Sequence, residues 1–582
     1  MVPEGLPISR FYVSCMKFKF KWFNRLIGRL SKGSFFHFMG SLWKKERHAP
    51  LKLPAPNKPE DASKTKQYEA HPSKAYMDLK MRFRDTGRFS AVIEMLGRDF
   101  LTAMPEGAYK SRLGQMAFLY RRMHEELANE EVAALIEEAH AHEKKAPRDW
   151  DDWDRANLRE MENMYRHHCQ VDPDLMERRA YLSYEGRKTH SEVLKNNDWE
   201  SARPFLEDMI DLQRKIGESK CLRDNDHKED SAYQALMREY IPGARLSDVD
   251  YLFGRLEDKL GELLPQILEK QAQMSPPVPL KGPFSTDQQM WLNRSLLKVM
   301  GFDFDRGGLY ETGHNPVEGG TPDDTRLVIK CANENNFLGT MKSALHEGGH
   351  GIYIQGLPRD IWRYQPVGQD MGAAVHESQA LLIDMILGRT KEFFEYLSPR
   401  AEGLFQRFGD PAMTPENLYK TRTWVQKTVN RREADEVTYF LHVLFRTQLE
   451  RDLIAGRLEV KDLPDAWNAS MKKYLGIEPK TNAEGCLQDV HWFVGKFGYF
   501  PSYTLGHMIA AQIHNRMKRD LQNIPDLMRQ GNFLPVQGWL HDNIHMQGRL
   551  KTTDELMESV TGASLGIGPL TGHLKERYLG VA

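Results

Sequence analysis

From about residue 72 to the C-terminus, apolar residues recur at intervals of three and four positions. This spacing gathers them on one face of an α-helix. Two examples are "RRMHEELANEEVAALIEEAHAHEKK" and "ARPFLEDMIDLQRKIGE", which are also rich in helix-favouring residues. Breakers such as "IPGA" and "SPPVPLKGP" separate the runs, and no fixed-period repeat indicates a solenoid. The pattern therefore predicts a large, mainly helical body.

Two stretches depart from this pattern. Residues 323–331, "DDTRLVIKC", concentrate β-branched and apolar side chains and predict a strand of a small sheet just before the next helical run. Residues 1–70 begin with a basic, aromatic stretch and continue into a segment rich in Pro and Lys over residues 49–66. We therefore predict a poorly ordered extension and linker over residues 1–70, and a single large helical domain over residues 71–582.

Composition narrows the class of protein. The 582 residues are 40% hydrophobic and 28% charged, which is ordinary for a globular protein. The 80 basic and 81 acidic residues give a net charge of -1, which argues against nucleic acid as a partner. No apolar run is long enough to predict stable membrane insertion. Five scattered cysteines without a CxxC pair favour a cytoplasmic location, with an organellar transit peptide in the basic extension as the alternative.

The strongest candidate for chemistry lies in residues 336–355, "NFLGTMKSALHEGGHGIYIQ", where the apolar spacing predicts a largely buried helix. On a helix, His346 and His350 stand one turn apart on one face, so both imidazoles can reach a single metal ion. Glu347 is rotated by about 100° from His346, which suits a general base better than an equal third ligand. Two imidazoles and one carboxylate are a typical zinc site with one open coordination position.

A third ligand is expected from a later helix, and residues 372–386, "GAAVHESQALLIDMI", provide a candidate. Polar residues interrupt an apolar helical run there, and buried polar groups need partners. Glu377 follows His350 at a distance that allows a loop and a returning helix, so we predict that it is the third ligand. His376 points to a different face, as a hydrogen-bonding or substrate-facing residue. Asp384 is a candidate partner for the metal ligands.

The glycines at positions 348, 349 and 351 leave a second interpretation open, in which a glycine-rich turn happens to contain two histidines. Inside a helix each glycine costs about 0.5–1 kcal/mol relative to alanine. A helix is still favoured if packing and the metal hold it, and if backbone or substrate approaches closely at these positions.

These residues together resemble the carboxypeptidase Taq family of zinc metallopeptidases, from about residue 75 to the C-terminus. "HEGGHGIY" resembles the family's metal helix, and "HESQ" over residues 376–379 resembles its third-ligand motif. Three further elements follow in the family's order, namely "RREADEVTYFLH" (431–442), "GCLQDVHW" (485–492) and "FGYFPSYTLG". Five elements in the right order make the resemblance specific.

The resemblance implies a zinc-dependent metallocarboxypeptidase that releases single amino acids from the C-terminus of peptides, with broad specificity. It implies a mainly α, zincin-like body split by a long substrate groove. One Zn²⁺ per chain is implied, which Co²⁺ can replace, and the family is commonly homodimeric. Carried over by motif, His346, His350 and Glu377 bind the metal and Glu347 is the general base.

The resemblance also assigns residues that handle the peptide. Arg431 binds the terminal carboxylate, for which arginine provides a bidentate pair that lysine cannot match. His491 and Tyr503 assist at the tetrahedral intermediate, where a developing oxyanion needs donors. Arg326 lies in the counterpart of the family's Asp-x-Arg-x-Thr element and binds substrate.

The chain departs from the family pattern at several positions. Residues 314–316, His-Asn-Pro, stand where the family has His-Pro-Phe, and Val328 replaces the last threonine of Asp-x-Arg-x-Thr. Asn430 replaces an isoleucine, and "LLIDMILGR" replaces a stretch that contains Trp-Glu-Asn. None of these changes removes a proposed ligand or the base, so we expect a working enzyme with altered selectivity.

Two alternatives stay open at this point. A related helical zinc oligopeptidase or endopeptidase shares the two histidines and the distant glutamate, but Arg431 and the "QDVHW" element favour a carboxypeptidase. A catalytically silent scaffold with structural zinc is expected to use four protein ligands, commonly cysteines, and no cysteine lies near these residues in sequence.

Overall fold

The fold is taken from a computed structural model, which describes residues 71–224, 231–311, 319–331 and 333–581. The predicted extension over residues 1–70 and the altered His-Asn-Pro element at 314–316 lie outside the described residues. The division of the chain at residue 70 therefore stays a prediction.

The described residues are mainly helical, which confirms the predicted fold class. The helices before the sheet are α1 (Lys74–Thr102), α2 (Tyr109–Leu127), α3 (Glu130–Lys145), α4 (Asp152–Cys169), α5 (Pro173–Asn196), α6 (Trp199–Asp224), α7 (Ser231–Arg238), α8 (Leu246–Ala272) and α9 (Thr286–Val299). The helices after it are α10 (Phe337–Gly356), α11 (Ala373–Leu381), α12 (Lys391–Phe405), α13 (Pro415–Thr423), α14 (Tyr439–Ile454), α15 (Leu463–Leu475), α16 (Pro501–Asp520), α17 (Ile524–Gln530), α18 (Leu534–Asn543), α19 (Thr553–Thr561) and α20 (Gly568–Leu574).

Shorter helical turns connect some of these helices. Two are π-helical, Leu382–Leu387 directly after α11 and Lys575–Leu579 after α20. The 3-10 turns are Glu106–Ala108, Pro147–Asp149, Asp360–Trp362, Pro366–Gly368, Pro411–Met413, Arg431–Glu433, Val460–Asp462 and His545–Gln547. Among the described helices, none combines the length and the apolar composition needed to cross a membrane.

A small sheet of three strands precedes α10. It consists of β1 (Gly307–Glu311), β2 (Gly320–Thr321) and β3 (Asp324–Ile329), in the order β1-β3-β2. Strand β3 pairs in parallel with β1 and antiparallel with β2, so it lies in the centre. Its last three residues are buried, as expected for a central strand. The strand predicted within residues 323–331 is confirmed, as is its position next to the histidine helix.

Helix α10 passes through the main apolar core. Almost all of its residues from Ala344 to Gly356 are buried, including Leu345, Ile352 and Tyr353. The side chain of Asn336 accepts a hydrogen bond from the backbone N–H of Leu338 and caps its first turn. Because packing on most sides fixes the position of this helix, the side chains that it carries are held rigidly.

Candidate metal centre

The glycines at positions 348, 349 and 351 of α10 occupy places where an added Cβ would clash. A Cβ atom added to Gly349 would lie 2.6 Å from the Cα atom of Ala380 on α11. One added to Gly351 would lie 2.7 Å from the Leu327 side chain on β3. Neighbouring backbone therefore approaches α10 closely at Gly349, as we predicted for a true helix, and side chains do so at Gly351. The alternative of a glycine-rich turn is wrong.

The close approach of α11 brings Glu377 to the two histidines. Nε2 of His346 lies 3.6 Å from Oε1 of Glu377, and Nε2 of His350 lies 3.7 Å from Oε2 of the same carboxylate. One ligand atom from each residue lies within 4.8 Å of the others. Within the described part of the chain, this is the only group of three or more His, Cys, Asp or Glu residues arranged in this way.

The remaining ring nitrogens of the two histidines contact other groups. Nδ1 of His350 lies 3.1 Å from the backbone oxygen of His376. A carbonyl only accepts, so Nδ1 carries the proton and Nε2 of a neutral His350 keeps its lone pair for a metal. Nδ1 of His346 lies 4.0 Å from the Asp384 carboxylate. The His350 hydrogen bond is a usual means by which proteins orient a histidine ligand, whereas the Asp384 carboxylate is near His346 without a hydrogen bond to it.

Asp384, which lies near His346, is in a turn where the helix widens after α11. The sequence predicted a continuous helical run over residues 372–386, but the α-helix ends at Leu381 and a π-helical turn continues to Leu387. Single π-helical turns inside helices often occur at functional sites.

The donor set fits a divalent metal ion. Two imidazole nitrogens and one carboxylate oxygen converge, and the orientation of His350 suits coordination through Nε2. Glu347, the predicted base, follows His346 directly and is buried.

A second buried cluster surrounds Arg431, which begins a 3-10 turn. Its Nε and Nη2 atoms donate to Oδ1 of Asp489 at 3.2 and 2.8 Å, and its Nη1 donates to the Tyr439 hydroxyl at 2.9 Å. Burial acts to lower the pKa of Arg431, but the Asp489 carboxylate outweighs it and holds that pKa well above its usual value. The side chain of Asn430, one of the departures from the family pattern, accepts a hydrogen bond from the backbone N–H of Arg432 and caps this turn.

Asp489 also binds a second arginine. Nε of Arg446 on α14 donates to Oδ2 of Asp489 at 2.6 Å, and its Nη2 donates to Gln488 at 2.8 Å. Two guanidinium groups thus share one carboxylate, which leaves the three groups with a net positive charge. Asp489 and Arg446 were not among the predicted site residues, although Arg446 is a charge inside the apolar run "YFLHVLFRTQLE". A buried charge of this kind requires a partner.

His491 and Tyr503 lie beside Arg431. Nε2 of His491 is 3.0 Å from the Tyr503 hydroxyl, and the Arg431 guanidinium lies 4.8 Å from the centre of the Tyr503 ring. Burial lowers the pKa of His491 well below its usual value, against the opposing effect of Asp489. Burial also raises the pKa of Tyr503 well above its usual value. Both side chains are therefore uncharged at neutral pH, and Tyr503 keeps its proton.

Helix α16 connects the two clusters. It carries Tyr503, and one turn later Gly506 packs against the side chain of Glu377, where an added Cβ would lie 3.0 Å from Glu377 Cβ. Arg326, by contrast, pairs with Asp324 of its own strand at 2.8 Å and is partly exposed. In the described residues we find no contact between Arg326 and either cluster.

Comparison with known proteins identifies the family. The sequence profile of the carboxypeptidase Taq (M32) metallopeptidases matches residues 78–578. The chain belongs to the carboxypeptidase Taq family. It is similar to thermostable carboxypeptidase 1 of Thermus thermophilus, with 31% identity over 512 residues that cover 87% of this chain and 99% of the relative. It is also similar to carboxypeptidase 1 of Bacillus subtilis, with 32% identity over 66% of this chain and 74% of the relative.

Solved structures of carboxypeptidases share the fold. Metallocarboxypeptidase 1 of Trypanosoma cruzi matches with a TM-score of 0.81 and 34% identity, over 87% of this chain and 99% of the other. The Pyrococcus furiosus carboxypeptidase matches with a TM-score of 0.79 and 28% identity over the same shares. The predicted carboxypeptidase Taq membership is confirmed, and with it the prediction of a metallocarboxypeptidase, a hydrolase that acts on peptide bonds. A divalent metal is implied by the family and by the His-His-Glu group.

Proposed function

We propose that this carboxypeptidase Taq enzyme is zinc-dependent and releases single amino acids from free peptide C-termini with broad specificity. The observation that carries the proposal is the connection of the His-His-Glu group to the buried Arg431 cluster through α16. One cluster suits a metal that acts on a carbonyl, and the other suits a carboxylate. A peptide C-terminus presents these two groups on either side of a single residue.

The metal-binding residues are His346, His350 and Glu377. Zinc, when bound, supplies a Lewis acid for the scissile carbonyl and lowers the pKa of the attacking water. Glu347 is the general base that takes the proton of that water and returns it to the leaving amine. Its position on α10, buried and directly after His346, supports this role, because it places a proton acceptor next to the metal-binding residues.

Arg431 binds the terminal carboxylate of the peptide. Its contacts with Asp489 and Tyr439 use three of its five N–H donors, so two are available for a bidentate pair. Asp489 fixes the plane of the guanidinium, and the charge shared with Arg446 leaves the cluster positive. An endopeptidase has no need of such a buried carboxylate site.

Tyr503 and His491 act on the developing oxyanion. Tyr503 keeps its proton and lies on the helix that packs against Glu377, so it can donate a hydrogen bond near the scissile carbonyl. His491 holds the hydroxyl in place at 3.0 Å. The role of Arg326 in substrate binding stays a prediction. The homodimer and the cytoplasmic location stay predictions.

The test compares one peptide with a free C-terminus and the same peptide with an amidated C-terminus. We expect stepwise release of C-terminal amino acids from the free peptide only, loss of activity with a chelator, and recovery with Zn²⁺ or Co²⁺. Internal cleavage of the amidated peptide would favour the oligopeptidase alternative, and activity that resists the chelator would refute a metal mechanism.

Glu347→Gln tests the base separately. The amide cannot accept a proton, so we expect a loss of kcat by several orders of magnitude while one metal ion per chain is retained. Metal content by elemental analysis and the change in unfolding temperature on zinc addition measure retention. Unchanged kcat in the metal-loaded variant would contradict the assignment.

A further inference from the structure

Lys342 lies on α10, and its side chain extends to the turn that begins at Arg431. It precedes His346 by one turn of α10, so the two side chains share a face of the helix. Its ammonium group donates to the backbone oxygen of Arg432 at 3.1 Å. The side chain therefore reaches from the helix that carries the metal ligands to the residue next to Arg431.

Positive charge is concentrated around this lysine. The carboxylate of Asp384 lies 3.6 Å from Arg422, and the charges of Arg389, Arg422 and Arg431 all act on Lys342. Burial lowers the pKa of Lys342 to about 7, and these three guanidinium groups act in the same direction, against Asp384. Two further carboxylates act on these arginines, Asp489 on Arg431 and Glu436 on Arg389 and Arg422. Each of the two is shared with another arginine, Arg446 or Arg577, so positive charge stays in excess.

Two of these guanidinium groups have capacity left for an anion. In the described residues, the buried Nε atoms of Arg389 and Arg422 have no hydrogen-bond partner. Arg389 is only 2% exposed, so its unpaired N–H is costly unless a further group binds there. Lys342 donates one of its three N–H groups to Arg432 and keeps two.

The C-terminal residue of a substrate has to lie beside Lys342. In the proposed function, the scissile carbonyl of the preceding residue lies at the metal centre, and the carboxylate of the C-terminal residue binds Arg431. Lys342 spans these two anchors, so the side chain of the C-terminal residue extends alongside it. We propose that Lys342, with Arg389 and Arg422, forms a specificity subsite for a carboxylate side chain, so that the enzyme prefers peptides that end in Glu or Asp. This inference rests on the proposed function.

The experiment measures kcat/KM of the metal-loaded enzyme at pH 6.5 for two peptides that differ only in a C-terminal Glu or Gln. These side chains have nearly the same shape and differ in charge. A desolvated, charge-assisted pair discriminates by about tenfold or more, so we expect at least that preference for Glu. Lys342→Met should reduce the preference to about twofold or less, and Lys342→Arg, which keeps the charge, should retain most of it.

The matched control is Lys298→Met, which removes an exposed lysine on α9 and should leave the preference unchanged. Thermal unfolding shows whether each variant folds, and the arginine variant tests the subsite if the methionine variant does not fold. Equal kcat/KM for Glu and Gln in the wild-type enzyme would overturn the subsite while leaving the proposed function intact. An equal loss of kcat/KM for both peptides in Lys342→Met would also overturn the subsite. The lysine would then bind the terminal carboxylate or stabilise the fold, and would not recognise the side chain. Hydrolysis of neither peptide would refute the proposed function itself.

Discussion

Asp489 illustrates how a single buried residue organises a site. Burial acts to raise the pKa of this carboxyl, but Arg431 and Arg446 outweigh it and hold the pKa well below the usual value. The carboxylate therefore stays charged, and each of its oxygens binds one guanidinium group. Nδ1 of His491 lies 3.7 Å from Oδ1. One side chain thus positions the carboxylate-binding arginine, and it lies next to the histidine that holds Tyr503.

Glu450, on the same helix as Arg446, has the opposite electrostatics. It is fully buried on α14 and accepts hydrogen bonds of 3.0 Å from the Tyr233 hydroxyl, the Trp492 indole and the Gly498 backbone N–H. Burial raises its pKa to about 8, because these neutral donors do not make up for the lost hydration. Glu450 thus holds the loop that follows His491 while carrying a proton at neutral pH.

This raised pKa gives a prediction for stability against pH. Between about pH 4.5, the ordinary glutamate value, and about pH 8, the folded state binds the Glu450 proton more tightly than the unfolded state. The contribution of Glu450 to the free energy of unfolding is therefore complete below about pH 4.5 and is lost as pH rises through 8. Between these values, the free energy of unfolding falls by up to about 1.4 kcal/mol per pH unit. Glu450→Gln should remove this slope in urea unfolding curves measured from pH 5 to 8.5.

Glu218→Gln on α6 is the control for that experiment, since Glu218 is exposed and its loss should leave the slope as in the wild type. If the free energy of unfolding depends on pH in the same way for the wild type and Glu450→Gln, the Glu450 proton does not contribute to stability.

Among single residues, those that belong to a local sequence pattern were predicted, and those brought together only by tertiary contacts were not. His346 and His350 follow from helix geometry, and Glu377 from a polar interruption in an apolar run. The Arg446–Asp489 pair joins positions 43 residues apart, and no local pattern links them. The charge at Arg446 indicated that a partner was needed, but only tertiary structure identifies it.

At the scale of elements, the metal centre depends on the spacing of α10 and α11. Local periodicity predicted α10 to within one residue at each end, over residues 336–355 against the observed 337–356. It did not predict the π-helical turn after α11, because a change of helical type leaves the apolar pattern intact. That turn places Asp384 beside His346, so the missed detail concerns the site directly.

Gly349→Ala tests the contact between these helices. The added methyl group would lie 2.6 Å from the Ala380 Cα atom and 2.8 Å from the Gln379 backbone oxygen, and backbone cannot move aside as a side chain can. We expect a loss of about 1–3 kcal/mol in the free energy of unfolding. We also expect weaker zinc binding, because Glu377 moves away from the histidines.

The matched substitution is Gly254→Ala in α8, where an added Cβ meets no atom within 4 Å. There the better helix propensity of alanine should stabilise the protein by about 0.5–1 kcal/mol and leave zinc affinity unchanged. If both variants lose the same stability, close packing at Gly349 is not the cause.

At the scale of the whole molecule, the proposed site draws on distant parts of one chain. Its residues run from β3 to α16, and the helices that hold them share one apolar core. The helical class and the small sheet were predictable from the local sequence pattern, and the approach of α11 to α10 was expected from the polar interruption at Glu377. That α14 and α16 join these two helices was implied only by the family resemblance. Packing among helices that are far apart in sequence has no signal in the local pattern.

The last prediction concerns which part of the chain is needed for activity. The family match spans residues 78–578, so residues 1–70 lie outside it, and the match to the Thermus thermophilus relative covers 87% of this chain and 99% of that relative. Every residue of the proposed site lies between Arg326 and Tyr503. His71, at the start of the described residues, packs 4.5 Å from the Trp150 ring and should be retained. We therefore expect a chain of residues 71–582 to keep the zinc-dependent kcat/KM and the urea midpoint of the full chain. The same chain with Glu347→Gln gives the background rate, and a truncated chain that folds and binds zinc but loses activity would place a functional role in residues 1–70.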